Sequence, residues 1–225
     1  MKEHIRKAIL NLGADGCGFS HIDRFEEAPR GFHPTDIFEG CRSVIVFGVS
    51  LPKGLYCVPP RLVYGHFNDA TCPEVDRIAL LGAKFIEKSF SSAAVPLPCD
   101  CPYEYWDADK TEGRGLISMK HAAVNAGLGT LGKSTLLLNP DYGNMLTIGA
   151  ILTDLELESD PLDESICIED CTLCVAHCPA GALDGIHANQ KACRKNTFGE
   201  TARGFGTVDC NTCRTVCPMR FGIKG

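Results

Sequence analysis

The sequence predicts an α+β chain built in two units. Three observations carry that reading. Helix-like and strand-like segments alternate before residue 152, eight of the 14 cysteines crowd between Cys167 and Cys217, and an acidic stretch holding Pro161, LTDLELESDPLDES from Leu152 to Ser165, reads as a linker between them. The boundary is set at residue 158, giving a mixed unit over 1–158 and a cysteine unit over 159–225. With 225 residues, 44% of them hydrophobic, the chain can bury a sizeable core.

The first element is a helix. Ile5, Ile9 and Leu12 share one face amid recurring charges, an amphipathic pattern and not a secretion signal. CRSVIVFGVSLP is a buried strand ending at Pro52. Pro73 to Lys88 reads as a helix, with Val75, Ile78, Ala79, Gly82, Phe85 and Ile86 on one face and Pro73 in its first turn. Ser118 to Ala126 is a short helix capped by Ser118 and stopped by Gly127. Ser134 to Leu138 and Leu146 to Leu152 read as strands joined by the turn NPDYGN. The longest largely apolar run, Ser43 to Leu51, falls far short of the roughly 20 residues that span a bilayer. A soluble cytoplasmic protein without a membrane partner is expected. The net charge of −6 argues against binding nucleic-acid backbones, while leaving room for a local basic patch.

With no secretion signal, the cysteines read as metal ligands before disulfides. CTLCVAHCP (Cys171 to Pro179) and CNTCRTVCP (Cys210 to Pro218) are two copies of C-x2-C-x3-C-P. The C-x2-C pair places two thiolates on one cluster. The third cysteine, expected to start a helix pointing away, ligates the other cluster in two-cluster ferredoxins. Each half needs one more ligand, supplied by Cys167 and Cys193. Cys167, Cys171, Cys174 and Cys217 are therefore assigned to one [4Fe–4S] cluster, and Cys178, Cys193, Cys210 and Cys213 to the other, in a ferredoxin-like unit. Cys167 stands one residue earlier than the ferredoxin spacing. The competing reading is a pair of four-cysteine zinc sites, but zinc has no need of the added cysteine–proline step. Cys17, Cys41, Cys57, Cys72, Cys99 and Cys101 read as small buried hydrophobes. Cys99 and Cys101 form a C-x-C pair near Tyr103, Tyr105 and Trp106, with a weaker claim as ligands.

Gly127 to Ser134, GLGTLGKS, fits the phosphate-loop pattern G-x-x-x-x-G-K-[ST]. That pattern works between a strand and a helix, whose N-terminus faces the phosphates. Here a helix precedes it and TLLLNP follows, so nucleotide hydrolysis is rejected. The glycines still permit close approach of a ligand, and Lys133 can hold an anionic group.

SMKHAAVNAGLGTLGKSTLLLNPDYGNMLTIGAILTDLEL, followed by the cysteine block, resembles epoxyqueuosine reductase and the iron–sulfur proteins similar to it. The resemblance runs from Leu116 to Gly222 and rests on AGLG-x-x-GK, the YG turn and the T-D-L strand in combination. It implies a nitroreductase-like first unit, a fold shared with reductive dehalogenases, that carries cobalamin. Electrons would pass from one cluster to the next and on to the corrinoid, which in the family removes an oxygen from an epoxide on a modified tRNA base. Cofactor contacts would fall to Lys120, His121, Gly127, Gly129, Gly132, Lys133 and Ser134. FMN is the alternative occupant, since nitroreductase-like folds usually hold it. The family's acidic proton donor sits in an R-D-Y-H-like segment; the nearest segment here is the loop-like YGHFNDA, offering Asp69 and His66. Trp106, Asp107 and Asp109 are candidates to line a substrate pocket. The family continues past the clusters into a helical-repeat domain that helps hold tRNA, whereas this chain stops at Gly225. A small-molecule substrate, with ferredoxin or flavodoxin as electron donor, is therefore expected. The competing function is an electron-transfer partner without substrate chemistry of its own, but a carrier would need only the cysteine unit.

Overall fold

The computed structural model describes residues 1–100 and 103–224; Cys101, half of the C-x-C pair, lies outside them. In chain order the elements are α1 (Lys2–Asn11), β1 (Gly16–His21), α2 (Pro34–Ile37), β2 (Ser43–Ser50), α3 (Leu62–Phe90), β3 (Ala94–Leu97), β4 (Tyr105–Asp107), β5 (Glu112–Arg114), α4 (Met119–Asn125), β6 (Thr130–Leu131), β7 (Leu137–Leu138), β8 (Leu146–Thr153), α5 (Leu173–Ala176), α6 (Gln190–Thr197), β9 (Phe198–Glu200), β10 (Gly206–Val208) and α7 (Thr212–Thr215). This is the mixed helix–strand architecture expected. Among the described residues no helix is long and apolar enough to cross a membrane.

The core sheet has the order β1-β2-β8-β3, with every neighbouring pair antiparallel. Both of its faces are covered, which is why SVIVFGV is apolar without alternation. Ile45 pairs with Ile151, and both face α1 and α3 through Ile5, Ile9, Val75 and Ile78. Val44 pairs with Leu152 and Val46 with Ala150, on the face that receives Ala122, Ala123 and Ala126 of α4. Small residues set the spacing there: a Cβ on Gly18 would run into the Ala126 carbonyl.

Several expectations are corrected. The helix expected to begin at Pro73 begins eleven residues earlier and carries Pro73 in its interior. The loss of one N–H in a 29-residue helix is tolerated because Val75, Ile78, Ala79, Gly82, Ala83 and Ile86 anchor it to the core. YGHFNDA therefore lies within α3 and not in a loop. Only Leu137 and Leu138 of the strand expected over Ser134 to Leu138 are extended, and they pair with β6 and not with β8. The acidic stretch is no free linker. Leu157 is buried in the core, and the Asp160 carboxylate accepts from Phe19 N at 3.0 Å while pairing with Lys2 Nζ at 2.7 Å and Arg6 Nη2 at 3.0 Å. Acidity there marks a paired carboxylate, which charge counting alone cannot separate from a solvated one.

Of the scattered cysteines, Cys17, Cys41 and Cys99 are buried and Cys72 is partly so. Burial pushes the thiols of Cys17 and Cys41 up to about 12 and about 11, leaving them inert near neutrality. Cys57 departs from the expectation: it caps a surface 3-10 turn, Lys53–Tyr56, and is exposed.

In the cysteine unit the internal repeat is structural. Cys171 and Cys210 each precede one short helix, α5 and α7, with the second cysteine of each motif, Cys174 and Cys213, inside it. The third cysteines, Cys178 and Cys217, follow these helices and do not start new ones as expected, because Pro179 and Pro218 continue into turns.

Candidate functional site

The NPDYGN turn packs against the segment that follows Cys217. Asn139 Oδ1 accepts from Asp141 N and Tyr142 N, both at 2.9 Å, and its amide donates to Leu128 O at 3.0 Å. Gly143 adopts φ +57, and a Cβ there would strike the backbone of Met219 and Arg220. Asn144 N donates to Arg220 O and Ile223 N to Pro140 O. The turn thus holds the segment that follows Cys217.

The cysteines gather in two groups. Cys167, Cys171, Cys174 and Cys217 line one small hollow with Gly132, Leu138, Leu173, Pro218 and Met219. Burial raises the Cys213 thiol to about 11, Arg214 pulls it down, and Cys193, Cys210 and Cys178 act on it in turn. The repeat assigns these residues to two quartets, each with one cysteine contributed by the other motif. Among the described residues no three His, Cys, Asp or Glu side chains converge closely enough to hold a single metal ion.

Next to the quartets lies an open cleft of about 1110 Å³. Lys120, His121, Gly132, Lys133 and Thr135 form one side, and Cys193, Arg194 and Phe198 of the cysteine unit another, with Cys167 also exposed to it. It thus meets one cysteine of each quartet. Lys120 and His121 sit in the first turn of α4; Ser118, expected to cap that helix through its hydroxyl, instead bonds His121 Nδ1 at 2.6 Å. Lys120 Nζ donates to the Thr135 carbonyl at 2.7 Å, and Thr135 holds φ +61, rare for a β-branched residue. Burial, then the charge of Arg214, lowers the Lys120 pKa; burial, then Lys120, lowers that of His121.

The remaining candidates divide. Lys133 is turned toward its own chain: Nζ donates to the carbonyls of Ile168, Glu169 and Cys171, holding the loop that carries Cys167 and Cys171. It is thereby drawn away from the role of phosphate clamp expected for it. Gly127, φ +68, and Gly129, φ +131, make room for the Pro161 and Leu138 carbonyls, so their close approach is to backbone. Ser134 is buried beside the first quartet. No helix follows the GKS stretch, in keeping with rejection of the phosphate loop. Asp69 and His66 are exposed on α3, and neither lines the cleft. Asp109 borders a separate cavity with Asp184 and Lys191, and Trp106 stacks on Tyr103 beneath the Arg194 guanidinium. Lys133→Ala is expected to leave ATP hydrolysis at background, as in the parent, and to cost about 1–2 kcal/mol of stability through the lost charged hydrogen bonds. A coupled ATPase assay and thermal melts check both.

No protein-family model matches the chain. Epoxyqueuosine reductase of Staphylococcus aureus is 27% identical over 265 residues, covering 100% of this chain and 66% of that protein. The chain is similar to epoxyqueuosine reductases along its whole length. That of Lactococcus garvieae is 28% identical over 258 residues, covering 100% of this chain and 71% of that protein. The chain therefore spans about two thirds of the length of these relatives. A solved epoxyqueuosine reductase with an epoxyqueuosine-modified tRNA-Tyr stem loop superposes with a TM-score of 0.69 at 20% identity, over 97% of this chain and 65% of that one. The catabolic reductive dehalogenase NpRdhA superposes with a TM-score of 0.71 at 19% identity, over 99% of this chain and 32% of that one. At these identities the structures establish a shared fold.

The expectation against a nucleic-acid partner calls for a local reading of charge. It rested on net charge, which averages the whole surface, whereas the cleft lining carries Lys120, Lys133 and Arg194 against Asp100 alone. A protein of this fold is solved with a tRNA stem loop.

Proposed function

We propose that the chain is an epoxyqueuosine reductase-like oxidoreductase, passing electrons through two [4Fe–4S] clusters to a corrinoid in the cleft, where an organic substrate is reduced. On this reading residues 1–158 are the nitroreductase-like cofactor unit and residues 159–225 the ferredoxin-like unit. The observation that carries it is the cleft that meets Cys167 and Cys193, one from each quartet, as well as Lys120 and His121. Its volume of about 1110 Å³ exceeds the roughly 300–1,000 Å³ of common small-ligand pockets and suits a large flat macrocycle. When bound, the clusters supply one-electron transfer and the corrinoid a strongly reducing centre.

The chain's own groups do the rest. Eight thiolates would hold the iron, and Lys133 fixes the loop between Cys167 and Cys171 by capping its carbonyls. Lys120 presents a cation at the cleft wall, tied down by Thr135. His121, its pKa lowered by burial and then by Lys120, is oriented through Ser118. The proton donor is proposed among groups that reach the cleft; Asp69 and His66 would need α3 to move before they could serve. The substrate class includes a modified base carried on tRNA, given the basic cleft and the relatives' names, as well as smaller oxygenated molecules.

Titration of the cluster-loaded chain with hydroxocobalamin, read by absorbance and equilibrium dialysis, tests this. Saturable binding, weakened at least tenfold by Lys120→Ala, is expected. No binding at tens of micromolar with both clusters intact overturns the corrinoid site, and FMN retained by the purified protein would replace it.

A further inference from the structure

We propose that Arg214 is a fixed cation that raises the reduction potential of the cluster held by Cys178, Cys193, Cys210 and Cys213. The inference rests on the two-cluster reading above. Its first sign is a break in the internal repeat: where CTLCVAHCP places Val175 after the second cysteine, CNTCRTVCP places Arg214. A long cation replaces an apolar side chain at one of two otherwise matching helices.

Hydrogen bonds to the docking turn and to Tyr56 hold that cation in place. Its Nη1 donates to the Asn144 carbonyl in the docking turn and lies 3.4 Å from Tyr56 Oη. Tyr56 Oη in turn donates to Asn144 Oδ1 at 3.0 Å, and Asn144 Nδ2 returns a bond to the Arg214 carbonyl at 3.1 Å. Tyr64 of α3 packs beside Tyr56, their ring centroids 6.2 Å apart. A guanidinium stays charged across the working pH range, and among the described residues no carboxylate pairs with this one. The charge is therefore held in place and left uncancelled.

Its effect is unequal on the two quartets. Arg214 directly follows Cys213 in α7, whereas the hollow shared by Cys167, Cys171, Cys174 and Cys217 does not have Arg214 in its lining. Reduction adds one electron to a cluster. A nearby cation in a poorly screened site stabilises the reduced form more than the oxidised one. Electrons arriving from an external donor would therefore settle first on the cluster beside Arg214.

The test is an EPR-monitored dithionite titration of the reconstituted full chain. Arg214→Gln is expected to shift the reduction equilibrium of one cluster about tenfold toward the oxidised form, about 59 mV for one electron, and the other by less than a third of that. Arg214→Lys is expected to restore most of the shift. Asn144→Asp reads the same charge by compensating it, and is expected to lower the same potential should the Gln variant fail to load. Unmoved potentials in the loaded variants, or equal movement of both clusters, overturn the inference. Parent protein without iron and sulfide would instead overturn the cluster reading on which it stands.

Discussion

Replacing Cys217 with Ala is expected to destroy the cluster held by Cys167, Cys171 and Cys174 while sparing the one held by Cys210 and Cys213. The result is counterintuitive on the sequence, because Cys217 closes the motif that contains Cys210 and Cys213. Spatially it belongs elsewhere: Cys217 lines the hollow with Cys167, Cys171 and Cys174. A cubane short of one thiolate loads poorly and is lost readily. Iron content should fall by about half, and EPR of the reduced variant should retain the spectrum of one cluster. Loss confined to the cluster of Cys210 and Cys213 would refute the crossed assignment.

Gly143→Ala is expected to loosen the junction between the two units. The residue holds φ +57, which costs a non-glycine side chain about 1 kcal/mol or more. The new methyl would also meet backbone atoms of Met219 and Arg220, which cannot rotate aside. Adding an overpacking cost of about 1–3 kcal/mol gives about 2–4 kcal/mol in total. For a chain of this size that lowers the apparent Tm by on the order of 10 °C. Since the displaced segment follows Cys217, the first quartet should also load less iron. An unchanged melting temperature would mean that the turn does not bear on the segment after Cys217.

Local chemistry made much of the fold legible. Ile5 and Ile9 recur on one helical face and are both fully buried. The uninterrupted SVIVFGV run announces a strand covered on both sides. The repeat of C-x2-C-x3-C-P announced two matching segments, although their helices hold the second cysteines and do not start at the third. The failures have physical causes. Pro73 looks like a helix start because Pro favours first turns, but here tertiary packing carries the helix through it. Leu152 to Ser165 looks solvated because acidity is read without partners, and the partners of Asp160 lie in α1, far away in sequence. The glycines of AGLG looked ready for a ligand, yet Gly127 and Gly129 are occupied by carbonyls of Pro161 and Leu138. The cleft was invisible for the same reason, since it joins residues 100–135 to residues 165–198. Arg214 had a signal that went unused, the mismatch with Val175 in the repeat.

Iron and sulfide assays after anaerobic reconstitution test the two-cluster reading most directly. About eight iron and eight acid-labile sulfide per chain are expected, as two cubanes with four cysteine ligands each require. Four of each, or zinc in place of iron with no sulfide, would contradict it.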